Sequence, residues 1–404
     1  MESKGLIKSL RLQNLLSYGD KGEEISLGPL NVLIGSNASG KSNLIEAISL
    51  LRATPKDLAD TIRGGGGISE WLWKGEQSIP VAGIEALISY PEGLSPLYYR
   101  IAFTMVSQSL RIESESIERQ FSDDRQETEP FFYSYRNGSR RIRSINQAHR
   151  QKPGRIAGRA WQQLRAGDFS QEQSILSQLK DPITYPEIAY LSNFFGRIKI
   201  FQGGYFGHAA LTRGSQDPNL PDDFLLENAS NLVLILQDFQ HKIIPKQRII
   251  KEMEKFYSAV EDITTKIQGG TAQLFIHEKG LSQPIPAMRL SEGTIRYLCL
   301  LAILCHPTPP PLLCIEEPEL GLHPDVLPTI AELLIEASQR TQLIVTTHSD
   351  ALVSALSEVP ESVLICERDD EGTHLRRLEP ASLNEWLEKY SLGELWRMGE
   401  IGGN

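Results

Sequence analysis

Long apolar runs are missing from this chain of 404 residues. None reaches the roughly 18 residues that a helical membrane span needs, so no membrane partner surface of that kind is expected. Cysteine is scarce: Cys299, Cys305, Cys314 and Cys366 show no C-x-x-C spacing and sit in or beside apolar stretches. That pattern predicts buried free thiols rather than a zinc site or a disulfide framework. Met1-Glu2-Ser3-Lys4-Gly5 lacks the apolar core of a secretory signal, and a cytoplasmic location is expected. Positive charge is not in excess either. Lys and Arg number 41 against 51 Asp and Glu, a formal net charge of −10. Such a balance argues against a protein that coats nucleic acid over its whole surface, and it leaves room for a local basic patch. Internal repeats are absent, and no sustained heptad run lies between Lys41 and Ser291, so no long coiled coil is inserted. What remains is the composition of a globular chain, 40% hydrophobic and 23% charged, long enough for two or three domains.

The stretch that organises the chain is Gly35-Ser36-Asn37-Ala38-Ser39-Gly40-Lys41-Ser42, which fits the phosphate-loop pattern G-x-x-x-x-G-K-[ST]. Its context fits as well. Leu30-Asn31-Val32-Leu33-Ile34 predicts a buried strand before it, and Leu44, Ile45, Ala47, Ile48 and Leu51 recur at helical spacing after it. A strand, a glycine loop and a helix N-terminus together present backbone N–H groups and a helix dipole to a polyphosphate. Lys41 would then reach the β- and γ-phosphates and Ser42 would ligate Mg2+, with Asn43 following in the same binding stretch. The expected ligands are ATP or a similar nucleoside triphosphate and Mg2+.

Around this motif the pattern changes along the chain. Residues 6–18 predict a first strand, and residues 24–34 a strand region broken at Gly28-Pro29. Short alternating stretches over 81–112, with Ile84, Ala86 and Ile88 on one face, predict an antiparallel meander. Charge then segregates: residues 113–129 are acidic, whereas 136–165 hold nine Lys or Arg and no acid. The basic block either pairs with the acidic one or contacts nucleic acid or another acidic partner. Helices are expected over 170–179, 186–195, 228–239 and 245–257, a strand over 198–201, a polar loop over 211–221 and an edge strand over 273–278. Residues 96–190 read as an inserted subdomain, β then α, between an N-terminal lobe (1–95) and a C-terminal lobe (191–404).

Three stretches near the C-terminus make sense beside the phosphate loop. Pro311-Leu312-Leu313-Cys314-Ile315 predicts a strand that ends in Glu316-Glu317-Pro318-Glu319. A carboxylate at such an end can hold the water shell of Mg2+, the role expected of Glu316. The next carboxylate, Glu317, can polarise an attacking water as general base. Leu343-Ile344-Val345-Thr346-Thr347 predicts a second such strand, ending in His348, which is suited to sense or stabilise a γ-phosphate. Arg289-Leu290-Ser291-Glu292-Gly293-Thr294 precedes an apolar helix and forms another anion-binding helix end. One chain cannot easily aim two such ends at one phosphate, whereas two chains can, each closing the other's site.

The set GSNASGKS, RLSEGT, CIEEPELGLHPD and VTTHS resembles the ABC-type ATPase heads of the RecF, SMC and OLD-like group, most of all its compact bacterial AAA-type ATPases. Specific motifs carry the resemblance over residues 5–52 and 285–365, with the chain-end stretch Ser391-Leu392-Gly393-Glu394-Leu395-Trp396, and the middle is covered only loosely. It implies an α/β P-loop head with a mixed parallel core sheet, an antiparallel β-layer and an inserted β/α subdomain. It further implies that Ser291 and Gly293 contact the γ-phosphate held by the opposite protomer. Glu316 would be the second metal-site acid, Glu317 the catalytic base and His348 the switch histidine. Leu320-Gly321-Leu322-His323-Pro324 would cross the dimer interface, and Arg11 and Asn14 would lie near ribose and phosphate. Two departures stand out: the signature reads LSEGT where transporters have LSGGQ, and Glu316 stands where Asp is usual. The lobe-coupling glutamine has two candidates, Gln173 and Gln202.

The expected function is a Mg2+-dependent ATPase that closes as an ATP-sandwiched homodimer and gates a partner as it opens and closes. Relatives in the group act on DNA or control a nuclease in phage defence. The stretch after His348 is too short for the nuclease domain of some OLD-like members, so the effector would be a separately encoded chain. Residues 365–372 read as a hairpin whose acids solvate the turn. The second reading is a RecF-like DNA repair or maintenance ATPase with 136–165 on phosphates. The third, a transporter ATPase subunit, is disfavoured by the signature and by the inserted segment.

Overall fold

Side chains that alternate apolar and polar along the first half of the chain build one antiparallel sheet with a buried face. The computed structural model describes residues 6–75, 79–91, 94–120, 131–145, 159–202 and 213–403. The strands of this sheet are β1 (Ile7–Gln13), β2 (Glu23–Ser26), β4 (Ala82–Ile88), β5 (Leu97–Val106), β6 (Ser109–Arg119), β7 (Phe131–Arg136), β8 (Ser139–Ile145) and β9 (Arg159–Leu164). They lie in the order β2-β1-β4-β5-β6-β7-β8-β9. Ala82, Ile84, Ala86 and Ile88 are buried with Leu97, Tyr99, Ile101 and Phe103, so the meander expected over 81–112 is present. On the other face Arg100 lies over the ring of Tyr98 and pairs with Glu118 at 3.1 Å.

The chain divides into two units, one of residues 1–28, 36–198 and 366–376, the other of 29–35, 199–365 and 377–404. These differ from the three-part division expected at 95/96 and 190/191. The reason is register. β4 and β5 pair from Ala82↔Phe103 to Ile88↔Leu97, so 96–164 extends the N-terminal sheet instead of forming a body of its own.

Helices complete the first unit: α1 (Lys41–Ala53), α2 (Leu58–Gly64), α3 (Ile68–Trp71), α4 (Ile175–Gln178) and α5 (Pro186–Gly196). The helix expected over 170–179 is reduced to α4, because the residues ahead of it are tied down elsewhere. Arg140 donates to the carbonyls of Phe169 and Ser170 at 2.9 and 2.7 Å, and Ile112 N–H to that of Gln171 at 2.8 Å. Those contacts tie residues 169–171 to β8 and β6, and Ser174 then caps the helix where it begins. Glu115, 2% exposed, anchors the same turn. It accepts from Tyr99 Oη at 2.8 Å, from Ile175 N at 2.9 Å and from Ser174 Oγ. Burial pushes its carboxyl above the ordinary range, and these hydrogen bonds work against that shift.

The second unit carries strands of another kind. β3 (Leu30–Ile34), β10 (Lys199–Phe201), β14 (Leu312–Glu316), β15 (Gln342–Thr346) and β16 (Val363–Asp369) run parallel in the order β10-β14-β15-β3-β16, and β17 (Gly372–Arg377) follows β16 as a hairpin partner. β3 and β15 are buried at every position, the continuous apolar pattern of a sheet covered on both faces. β11 (Val260–Gln268), β12 (Thr271–Glu278) and β13 (Ile285–Pro286) form a three-stranded antiparallel sheet. Its β12 is central, where alternation alone suggested an edge: the two-residue β13 caps its far side and is too short to read in the sequence.

The helices here are α6 (Leu232–Gln240), α7 (Ile243–Phe256), α8 (Glu292–Leu304), α9 (Leu327–Ser338), α10 (Asp350–Ser354), α11 (Pro380–Leu387) and α12 (Leu392–Met398). The longest, α7, has 14 residues, so no long coiled coil occurs among the described residues. Nor is any described helix long and apolar enough to cross a membrane. All four cysteines are free; Cys299, Cys314 and Cys366 are buried and Cys305 is partly so.

Glu115→Ala removes the carboxylate that three buried donors share and is expected to cost about 2–4 kcal/mol of stability. Urea unfolding checks this, and an unchanged midpoint would show that the network contributes nothing.

Candidate functional site

The phosphate loop has a backbone shaped by three unusual residues. Gly35 (φ 151°), Ala38 (φ 64°) and Gly40 (φ 108°) all have positive φ, and Ser36, Asn37 and Ala38 are exposed. Gly40 is the N-cap of the 13-residue helix α1 and supplies no capping side chain of its own. An anion is the natural acceptor there. Lys41 curls back and donates from Nζ to the Ser36 carbonyl at 2.8 Å. Ser42 is exposed and Asn43 partly so.

Arg11 and Asn14 lie in the same unit, on and just after β1. Arg11 donates to the Lys21 carbonyl at 3.2 Å. Asn14 is 7% exposed with φ 52°, and its amide donates to the Val81 carbonyl at 3.2 Å. Both side chains therefore hold their own chain. Gln173 does likewise: it accepts from Leu58 N at 3.2 Å and donates to Asp57 at 2.7 Å, bracing the start of α2.

In the second unit, parallel register assembles a cluster at the strand ends. β14 pairs with β15 so that Glu316 lies opposite Thr346. Glu317, the next residue, has φ 46°, a left-handed backbone that a non-glycine residue adopts only under constraint. Its N–H donates to the Thr346 carbonyl at 2.9 Å, and its carboxylate stands 3.8 Å from His348 Nε2. The side chains of both residues remain about two-fifths exposed, at 40% and 41%, open to a ligand.

Glu319 holds the cluster together. Its Oε1 accepts from Thr347 Oγ1 at 2.7 Å and from His348 N at 2.9 Å. The sequence singles out Glu319 only as the third acid of the run, without a role. The position of Gln202 is also informative. Phe201 pairs with Ile315 in the parallel ladder, so the exposed Gln202 leaves β10 at the level where Glu316 ends β14.

Ser291 is the N-cap of α8; its Oγ accepts from Thr294 N at 3.0 Å while the residue stays exposed. A Cβ on Gly293 would stand 3.0 Å from the Gly321 carbonyl, so glycine lets the helix start approach the loop that follows β14. Arg296 ties that loop down through the Leu320 carbonyl at 3.4 Å. Leu320, Gly321, His323 and Pro324 face solvent. Among the described residues no cluster of three or more His, Cys, Asp or Glu is arranged as a metal cage.

Of the basic block, Arg150, Lys152 and Arg155 lie outside the described residues, as does much of the acidic one. Arg140 is 4% exposed and structural. Arg136 and Arg141 are exposed, and Arg141 lies over the ring of Trp161 at 4.9 Å.

Comparisons with known proteins bear on this arrangement. A family model described as "AAA domain, putative AbiEii toxin, Type IV TA system" matches residues 30–354, well over half of the chain. The Smc head bound to the C-winged helix domain of ScpA is similar with a TM-score of 0.56 at 15% identity, over 93% of this chain and 99% of that one. An Smc head with an extended coiled coil, bound to the C-terminal domain of ScpA derived from Pyrococcus furiosus, also gives 0.56, at 13% identity, over 95% and 99%. At such identities the likeness is one of fold, the mixed α/β fold of an Smc ATPase head. The DNA replication and repair protein RecF of Streptococcus uberis is 52% identical over 48 residues, which span 12% of this chain and only 13% of that relative's length.

Glu319→Ala removes the side-chain acceptor of the His348 N–H. Hydrogen exchange of residues 347–349 is expected to accelerate by about tenfold, the worth of one charge-assisted hydrogen bond. Unchanged protection would mean that Glu319 does not hold the histidine.

Proposed function

We propose, for a chain that belongs to this AAA-domain family, that it is a Mg2+-dependent ATPase whose ATP-bound form is a homodimer gating a separate effector. The observation that carries the reading is Glu317, held in a left-handed backbone at a strand end beside His348. Strain of this kind persists where the surrounding structure over-determines it, and it concentrates at reacting groups.

In this reading Gly35 to Ser42, with Asn43, receive the triphosphate, and Lys41 leaves the Ser36 carbonyl to meet the β- and γ-oxygens. Arg11 and Asn14 are proposed to lie near the ribose and phosphate, with side chains that already serve their own chain. Ser42 and Glu316 offer only oxygen donors, which suits Mg2+, a hard cation that takes one or two carboxylates with phosphate oxygens and water. Mg2+ when bound supplies charge neutralisation on the β- and γ-phosphates. Glu317 takes a proton from the attacking water as its oxygen bonds to the γ-phosphorus. The bond from that phosphorus to the β–γ bridging oxygen breaks, and ADP and phosphate leave. His348 donates to the γ-phosphate, and Gln202 is the lobe-coupling glutamine, since Gln173 is engaged at α2.

Ser291 and Gly293 open α8 beside a solvent-facing loop, which supports their use by a second copy. The ScpA-bound Smc heads are a precedent for an ATPase head that binds another protein chain, and the family description names a toxin of a Type IV TA system. A separately encoded nuclease in phage defence is the effector proposed, in the cytoplasm. A DNA-binding ATPase of the RecF kind is the second reading. The exposed Arg136 and Arg141, with Trp161 stacked on the latter and no acid in 131–145 or 159–165, favour it.

Glu317→Gln is expected to bind Mg·ATP while turnover falls by about 10²–10⁴-fold, the usual worth of a general base. Captured from its native cells with Mg·ATP, it should retain one stoichiometric protein that is lost without nucleotide. Wild-type turnover in this variant would remove Glu317 as the base, and recovery of nucleic acid alone would sink the gated-effector reading in favour of the RecF-like one. For the latter, Arg136→Glu with Arg141→Glu should weaken duplex binding and flatten its salt dependence by about two units of slope. Binding equal to wild type would exclude that face.

A further inference from the structure

The hairpin of β16 and β17 has acids at its turn that the sequence assigns only to solvation, yet its other side chains reach the phosphate loop. Cys366 Sγ lies 3.2 Å from the Ser39 carbonyl oxygen, and Thr373 Oγ1 lies 2.9 Å from the same oxygen. Thr373 Oγ1 is also 2.7 Å from Ser17 Oγ. A hydroxyl has one proton, and Thr373 Oγ1 shares it between two acceptors, the Ser39 carbonyl and Ser17 Oγ. Burial pushes the Cys366 thiol above its ordinary pKa, so it stays protonated and can donate. All four residues are buried.

The hairpin is itself held firmly. Thr373 N donates to the Ser17 carbonyl at 2.9 Å, and Leu375 N to Glu23 at 2.8 Å. Lys21 pairs with Glu371. A Cβ on Gly372 would meet Gly19 N at 2.7 Å, and one on Gly40 would stand 2.2 Å from Thr373 Oγ1. Backbone therefore touches backbone at one end of the hairpin, and Thr373 fills the space beside the last glycine of the loop.

We propose that this hairpin braces the phosphate loop, with Thr373 and Cys366 as positioning residues for nucleotide binding. The proposal rests on the reading of the loop as a nucleotide site. Its physics is peptide planarity. The Ser39 carbonyl and the Gly40 N–H belong to one trans peptide unit and point in opposite directions. Two donors that hold the carbonyl toward the hairpin turn the Gly40 N–H the other way, toward the ligand side of the loop. Without them this peptide can rotate, and the N–H is lost to the phosphate.

The test compares Thr373→Val, which keeps the shape and removes the hydroxyl, with Thr373→Ser, which keeps the hydroxyl. Steady-state ATPase activity and the Mg·ATP-induced shift in melting temperature are measured for the full chain. Thr373→Val is expected to raise KM for ATP by about 3–10-fold, the worth of one net hydrogen bond. Its kcat at saturation should stay within about twofold, and Thr373→Ser should restore KM. A folded Thr373→Val with wild-type KM overturns the brace, as does a Thr373→Ser as impaired as Thr373→Val. Should Thr373→Val fail to fold, Cys366→Ala deletes the other donor to the same carbonyl, and a wild-type KM there overturns the proposal. A wild-type chain with neither ATPase activity nor a Mg·ATP shift refutes the nucleotide reading itself, a separate failure.

Discussion

Parallel pairing in a sheet buried on both faces is the constraint on which the second unit depends. Cys314 lies opposite Ile344, and Val345 opposite Val32, so three strands run in register and the chain leaves them at one level. With β3 and β15 buried at every position, chemistry has no place inside the sheet. It collects where the strands end, the general location of ligand sites in open α/β sheets. The one polar side chain within β3, Asn31, obeys the rule that buried polar groups are paired. It donates to the Leu343 carbonyl at 3.0 Å and accepts from Arg377 at 2.6 Å.

Backbone conformation, more than side-chain identity, prepares the loops that follow these strands. Ala38 and Glu317 both adopt left-handed φ without being glycine. In each case hydrogen bonds define the turn: Ser39 N to the Ser36 carbonyl at 3.3 Å in one, Leu320 N to the Glu317 carbonyl at 3.0 Å in the other. Glu319 adds a side chain to the second, so the segment that carries His348 is tied to the segment that carries Glu317. The pair is thereby held together, while both side chains keep solvent access.

Some of this was legible in the sequence and some was not, for identifiable reasons. The phosphate loop, the Glu316-Glu317 strand end, the His348 strand and the meander were legible because each is local: a run of neighbours whose spacing reports burial or backbone need. The hairpin at residues 365–372 was legible on the same ground, but its task was not, since Thr373 and Ser39 stand 334 positions apart. Glu319 looked like one more acid because its value lies in acceptors reaching a different strand. The helix expected over 170–179 starts late, at the Ser174 cap, where Arg140 on β8 ties down the residues ahead of it. Arg140 itself was counted in a basic surface block and is instead buried, since neither charge nor spacing reveals which arginine turns inward. Pairing alone gives the candidate glutamines their places: Gln202 follows β10 beside the end of β14, and Gln173 braces the α2 start.

Why a hairpin from the far end of the chain should meet the phosphate loop follows from the same register. β16 pairs with β3 at Ile365 and Ile34, so β3 ends beside the residue that precedes Cys366 in β16. An N–H that is to receive a phosphate cannot also gain rigidity from a hydrogen bond of its own. Stiffening of that peptide acts on its carbonyl. In the Ser39 peptide the carbonyl is the group that Cys366 and Thr373 hold. The demand for open donors on one side of a peptide plane and the supply of donors on the other are thus met by two adjacent parallel strands.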